Sequence, residues 1–310
     1  MQLYKQRDKN LSKIKEKDIE LERNLQELVE NNLKQIFGLK FISTEFPIEN
    51  FRIDTLAYNE ETDSFVIIEY KRSKSFSVID QGYAYLAAML NNKADFILKY
   101  KEKCNDSIKR KDIDWSQSRI IFLANSFTRH QKKSIGFQDL PMELWEVKKY
   151  ENSLISFSKV DTPKGAESIN AVAKGKDVKR VSKEVREYSV DDHFKEGRDK
   201  PRELFEEFSE RVLSYNSKLE INPVKSYIGF KIDNAVVFLI KVRSSRLRLQ
   251  SYYVNPKDLR DPENRTEYKK TSSGGHKYIF EIKKEEDIDY AIMLIKQAVK
   301  KFRNDSIQNL

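Results

Sequence analysis

Residues 51–71, FRIDTLAYNEETDSFVIIEYK, constrain this chain more than any other stretch. Two runs of strand composition flank a polar loop at residues 59–64, which predicts a β-hairpin. Side chains alternate across a strand, so Arg52, Asp54, Leu56 and Tyr58 are expected on one face of the first strand. Phe65, Ile67, Glu69 and Lys71 are expected on the same face of the second. Pairing Tyr58 with Phe65 sets Leu56 opposite Ile67, Asp54 opposite Glu69 and Arg52 opposite Lys71. The other face is apolar through Ile53, Ala57, Val66 and Ile68, so the sheet should be covered on both sides. Two carboxylates facing each other in low dielectric repel, so something positive must sit between them. Lys71 supplies part of that charge. Two close oxygen donors plus a backbone carbonyl are what Mg²⁺ or Mn²⁺ requires. Such a metal would polarise a phosphoryl oxygen and activate a water, with Lys71 steadying the charge that develops. The pattern therefore points to phosphodiester hydrolysis.

The arrangement of these residues resembles the PD-(D/E)XK nuclease superfamily. Asp54, a hairpin and then Glu69-Tyr70-Lys71 form its core motif, with Ile53 in place of the proline. Gln81 and Tyr85 follow as Q-x-x-x-Y on the next helix, as in RecB-like nucleases. Upstream, Glu22-Arg23-Asn24-Leu25-Gln26 is similar to the E-x-x-L-Q of NucS-type endonucleases. The likeness covers roughly residues 20–158 and implies a restriction-endonuclease-like α/β fold, a mixed sheet flanked by helices. It implies that Glu22, Asp54 and Glu69 hold Mg²⁺ or Mn²⁺ and that Lys71 is the catalytic lysine. Gln81 would position substrate or water, supported by Tyr85. Glu27 and Glu30 lie on the same helix as Glu22 and compete for its role. Arg52 and Arg72 flank the site and either contact phosphates or neutralise the carboxylates. The implied activity is a metal-dependent DNA endonuclease of repair, restriction or defence, with RNA as the alternative substrate. Cutting both strands of a duplex would require a homodimer. The rival readings are an inactive nucleic-acid clamp on this scaffold and a defence effector regulated by a ligand.

The rest of the chain fits a two-domain protein of 310 residues. Its net charge of +9 favours polyanionic partners. No apolar run approaches the roughly 20 residues that span a bilayer, and MQLYKQRDKN carries no apolar signal segment, so no membrane partner and an intracellular, cytoplasmic location are expected. The lone Cys104 excludes an internal disulfide framework. In the first domain, residues 1–158, a short strand is expected at Gln2–Lys5. One helix is expected over IELERNLQELVENNLKQIFG, with Leu21, Leu25, Leu28, Leu33 and Ile36 as its apolar stripe and Gly38 as its stop. A second long helix is expected over SVIDQGYAYLAAMLNNKADFIL.

Residues 159–189 read as a flexible basic linker. Residues 190–310 read as a small α+β domain with an antiparallel sheet between two helices, in a targeting or regulatory role. That region resembles a small uncharacterised domain sometimes labelled a predicted transport protein. The strand RSSRLRLQSYYV interleaves Arg243, Arg246 and Arg248 with apolar and aromatic residues, a pattern that suits nucleic-acid binding or a solvated face equally. A polar loop is expected between that strand and HKYIFEI. Ser273-Gly274-Gly275-His276 is readable as a phosphate or base contact through His276 or as a tight turn, and FTRHQKK as a basic patch near the site in sequence order or as helix capping and solvation.

Overall fold

The computed structural model describes residues 2–17, 22–71, 77–104, 108, 110–137, 140–161, 178, 181–182, 184–185, 188–195, 199–254, 258–270 and 276–308. The chain divides into two compact units, Met1–Glu187 and Tyr188–Leu310.

The first unit opens with β1 (Leu3–Arg7), β2 (Asn10–Ile14) and β3 (Glu16–Lys17). Then come α1 (Glu22–Asn31), α2 (Leu33–Phe37), β4 (Lys40–Ile48), β5 (Phe51–Asn59) and β6 (Ser64–Lys71). α3 (Val78–Asn91), α4 (Lys93–Cys104), β7 (Arg119–Ala124), α5 (Arg129–Ser134), β8 (Met142–Tyr150) and β9 (Ile155–Lys159) complete it. Its sheet runs β3-β8-β7-β6-β5-β4, with β9 beside β8. β6, β7 and β8 are parallel neighbours and the remaining pairings are antiparallel. The sheet is therefore mixed, and helices flank it.

Each sheet face carries its own core. Leu56, Tyr58, Phe65 and Ile67 pack against α3 and α4 with Phe96, Tyr100 and Trp115. Ala57, Val66, Ile68, Tyr70, Ile121 and Leu123 pack against Leu25, Val29, Leu33 and Phe37 of α1 and α2. The observed pairs Tyr58–Phe65, Leu56–Ile67 and Thr55–Ile68 give the hairpin the expected register up to that point. Ile53 departs from the expected alternation. It joins the cluster of Leu56 and Ile67 rather than that of Ala57 and Ile68. Next door in β4 a register shift falls between Phe41 and Ser43, Phe46 is the partner of Ile53, and Glu45 adopts a left-handed φ of 48°.

Both long helices foreseen from periodicity are broken, each at an asparagine. Asn32, at φ −125°, separates α1 from α2, and Gly38 ends α2 at φ 68°. Leu28 is 37% exposed and leaves the apolar stripe. Asn92 separates α3 from α4, its side-chain amide donating to the Ala88 carbonyl (2.8 Å) and to Glu49 (2.6 Å). Asparagine competes locally for backbone hydrogen bonds, and an apolar period does not register that competition.

Most of residues 159–189 lies outside the described residues. Of those described, Val181 and Val185 are buried in the first unit's core, and Lys93 pairs with Glu184 at 2.5 Å. The free linker expected from composition does not extend to them.

The second unit holds α6 (Asp199–Tyr215), β10 (Glu220–Val224), β11 (Tyr227–Ile232), β12 (Ala235–Val242), β13 (Leu247–Ser251), β14 (Glu267–Lys270), β15 (His276–Ile282) and α7 (Glu286–Gln308). Its sheet, ordered β10-β11-β12-β13-β15-β14, is antiparallel throughout. Phe230, Phe238, Leu249 and Phe280 form one core with Phe208 of α6 and Leu294 of α7. β14 lies within the stretch expected from its polarity to be a loop. No helix among the described residues is long and apolar enough to cross a membrane.

Candidate active site

The site lies where β5 parts from β6. Their backbone pairing runs from Asn59–Ser64 to Thr55–Ile68 and goes no further, whereas β6 stays paired with β7 through Lys71–Ala124. Beyond that point carboxylates replace main-chain carbonyls. The Asp54 N–H donates to Glu69 Oε1 (3.2 Å), and the Tyr70 N–H donates to Asp54 Oδ2 (2.9 Å). Lys71 Nζ donates to Glu69 Oε2 at 3.0 Å. Glu69 is 2% exposed, so its charge lies in low dielectric with one ammonium beside it. Burial, and then the neighbouring Asp54 charge, push its carboxyl up to about 7. Asp54 is also raised, chiefly by burial, against the lowering effects of the Tyr70 N–H and Lys71.

Gln26 of α1 holds this geometry from the side. It is 9% exposed, and its amide donates to the Asp54 carbonyl (2.8 Å) and to Thr44 Oγ1 (3.0 Å), joining α1, β4 and β5. Gln26→Ala should cost about 1–2 kcal/mol in chemical denaturation, because it strands a partly buried carbonyl. Glu30 has a different task, accepting from Thr55 Oγ1 at 2.6 Å, with the Tyr70 hydroxyl 3.2 Å from that same oxygen. Glu27 is exposed and pairs with Arg23 at 3.2 Å. Neither competes for the Asp54–Glu69 pair. Glu22 opens α1, but its side chain lies outside the described residues, as does Arg72.

On α3, which Ser77 caps through the Asp80 N–H (3.3 Å), the phenol of Tyr85 donates to the Arg52 carbonyl (3.3 Å). Burial raises that phenol's pKa, and both the Glu69 carboxylate and the Gln81 amide interact with it. Gln81 Oε1 is buried without a hydrogen-bond partner. The structure thus brings Asp54, Glu69, Lys71, Gln81 and Tyr85 together. Arg52 is corrected. It does not sit opposite Lys71; its side chain is 72% exposed and pairs with Glu45 at 2.5 Å. Glu45 is a neighbour that sequence reasoning missed; Gln26 was read there as part of a motif but given no role. Glu45, at a left-handed φ of 48°, adds to the burial that raises the Asp54 carboxyl.

Two further motifs have structural uses. Thr128 of FTRHQKK forms a reciprocal capping box with Gln131, and Lys132 pairs with Glu146 at 2.8 Å. Thr128→Ala should therefore lower stability by about 1 kcal/mol, readable as a shift in denaturation midpoint. In the second unit Arg246 pairs with Glu281 (3.0 Å) and Arg248 with Glu267 (3.3 Å), so much of that strand's charge is already matched. His276 opens β15 as an exposed residue, and Ser273, Gly274 and Gly275 lie outside the described residues.

The fold and site together define a two-unit α/β protein whose first unit carries a buried glutamate beside a half-buried aspartate, with an attendant lysine. A Haemophilus influenzae protein, described only as uncharacterized, is 39% identical over 307 residues, covering 97% of this chain and 100% of that protein; the chain belongs to the same family. Residues 190–300 match a family model described as a domain of unknown function, DUF5655. Among solved structures, a repair endonuclease from Pyrococcus abyssi is similar at 24% identity with a TM-score of 0.22, over 39% of this chain and 45% of that one. An EndoMS–dsDNA complex is similar at 20% identity with a TM-score of 0.23, over 44% and 51% respectively. The chain spans about half the length of these two proteins.

Proposed function

We propose that the first unit is a Mg²⁺- or Mn²⁺-dependent nuclease that hydrolyses phosphodiester bonds in DNA. The observation that carries this reading is the Asp54–Glu69 pair with Lys71 Nζ 3.0 Å from Glu69. Its donor chemistry fits a hard divalent cation: two carboxylates lie beside the Lys71 ammonium, and burial together with the Asp54 charge pushes Glu69 up to about 7. Asp54 and Glu69 would hold the ion, with Glu22 as the expected third carboxylate. Bound there, the ion supplies Lewis acidity to the scissile phosphate and a water acidic enough to attack it. Glu69 must release its proton to serve, and Lys71 keeps the resulting carboxylate paired. The Lys71 ammonium is also the group placed to steady charge building on the phosphoryl oxygens. Gln81, with an unpartnered buried oxygen, is suited to orient a water or a substrate hydrogen-bond donor, and Tyr85 interacts with its amide.

The rival reading is a non-catalytic DNA clamp on the same scaffold. Calorimetry with Mn²⁺ separates the two. The nuclease reading expects binding by the wild type and its loss in Glu69→Gln. Salt-dependent DNA binding without any Mn²⁺ heat would replace it with the clamp.

A further inference from the structure

The β1–β2 hairpin is a two-stranded ribbon, and its residues are exposed on both faces except for Leu3 and Ile14 at its base. Tyr4 is 47% exposed and Leu11 66%. A solvated two-stranded hairpin is at best marginally stable in water, so an ordered one implies either an anchor or an occupant. Among the described residues the hydrogen bonds that anchor it are at its base. Glu16 and Lys17 pair with Tyr150 and Lys149 of β8, the Glu151 N–H donates to the Lys15 carbonyl (2.9 Å), and the Lys15 N–H donates to Glu151 Oε2 (3.2 Å). The rest of the ribbon is exposed on both faces.

Its chemistry selects the occupant. Within the ribbon Lys5, Arg7, Lys9 and Lys13 stand against Asp8 alone, and the other carboxylate beside it, Glu151, already accepts from the Lys15 N–H. The register puts Lys5 opposite Ser12 and Arg7 opposite Asn10 on one face, and Tyr4 opposite Lys13 and Gln6 opposite Leu11 on the other. A cleft of about 580 Å³ runs along it, lined by Lys5, Arg7, Asn10, Ser12, Glu151 and Asn152 among others. A second copy of the chain would bring the same positive charge and be repelled. Single-strand platforms rely on several stacked aromatic rings, and this ribbon has only Tyr4. Long cationic and amide side chains on a two-stranded ribbon match the B-DNA major groove, which is about 12 Å wide and admits such a ribbon.

We propose that the Leu3–Ile14 hairpin binds duplex DNA as a groove-entering β-ribbon, Lys5, Arg7 and Lys13 meeting phosphates or base edges. The inference does not require the carboxylate site to be catalytic. The test is fluorescence anisotropy of the full chain with a duplex of about 20 base pairs and a single strand of the same length, in chelator, across a salt series. The variant Lys5→Ala/Arg7→Ala/Lys13→Ala changes exposed residues only, so its fold should persist; circular dichroism checks this. The expected result is roughly tenfold or more weaker duplex binding and a salt slope lower by about 0.9 per lost contact. Unchanged duplex affinity and slope would overturn the proposal. So would a loss confined to the single strand, or a change of oligomeric state in sedimentation with duplex affinity intact. Duplex binding that depends on the hairpin in a protein that never cleaves would sink the nuclease reading and leave this one standing.

Discussion

Asp54→Asn and Glu69→Gln are each expected to lower DNA cleavage by about 10³-fold or more while leaving the protein folded. Each replacement keeps the side chain's size and removes one negative donor. A divalent ion left with one carboxylate binds weakly, and its contribution to the transition state is worth several kcal/mol. The hydrogen bonds explain why folding should survive. The Tyr70 and Asp54 N–H groups now donate to Asp54 Oδ2 and Glu69 Oε1, and the amide introduced by either substitution still offers an oxygen to accept that bond. The check is plasmid nicking in Mn²⁺, paired with thermal melts of each variant. Cleavage persisting in both would show that the chemistry lies elsewhere.

The same Glu69→Gln change should stabilise the metal-free protein at alkaline pH. Burial and Asp54 raise the Glu69 carboxyl from 4.5 to about 7 in the fold, whereas the unfolded chain titrates near the ordinary value. Between those values the folded state holds a proton that the unfolded state has released. Stability therefore falls as pH rises through that window: its contribution is whole below about 4.5 and gone above about 7. A neutral glutamine removes this contribution to the slope, and the variant should exceed the wild type at mildly alkaline pH by on the order of 2 kcal/mol in chelator. Asp54, raised in the same direction, leaves a residual slope. Adding Mn²⁺ should then raise the melting temperature of the wild type and not of the variant. Parallel pH profiles for the two proteins would show that Glu69 does not carry the strained charge assigned to it.

The hairpin was legible because strand alternation and pair counting are local rules. Tyr58–Phe65 and Leu56–Ile67 follow from them directly, and the positions of Asp54 and Glu69 follow by extension. What counting does not show is that the ladder stops at Thr55–Ile68 and that side-chain carboxylates take over its hydrogen bonds. That switch is made by two side-chain carboxylates, which strand alternation places on a face but does not show accepting backbone hydrogen bonds. Gln26 was visible in the sequence as part of a motif, but its bond to the Asp54 carbonyl depends on where α1 crosses the sheet. The helix breaks at Asn32 and Asn92 were missed because an apolar stripe continues across them. β2 was missed for the opposite reason: its residues are polar and exposed, so no burial pattern marks them as a strand.

The most direct test of the carboxylate–lysine site is cleavage of plasmid and branched DNA in Mn²⁺ by the wild type beside Lys71→Ala. Losing the one ammonium at Glu69 should slow cleavage by about 10²–10³-fold at saturating DNA, with substrate affinity nearly unchanged. Equal rates for the two proteins, or a wild type that binds Mn²⁺ and DNA yet leaves every substrate whole, would contradict the account.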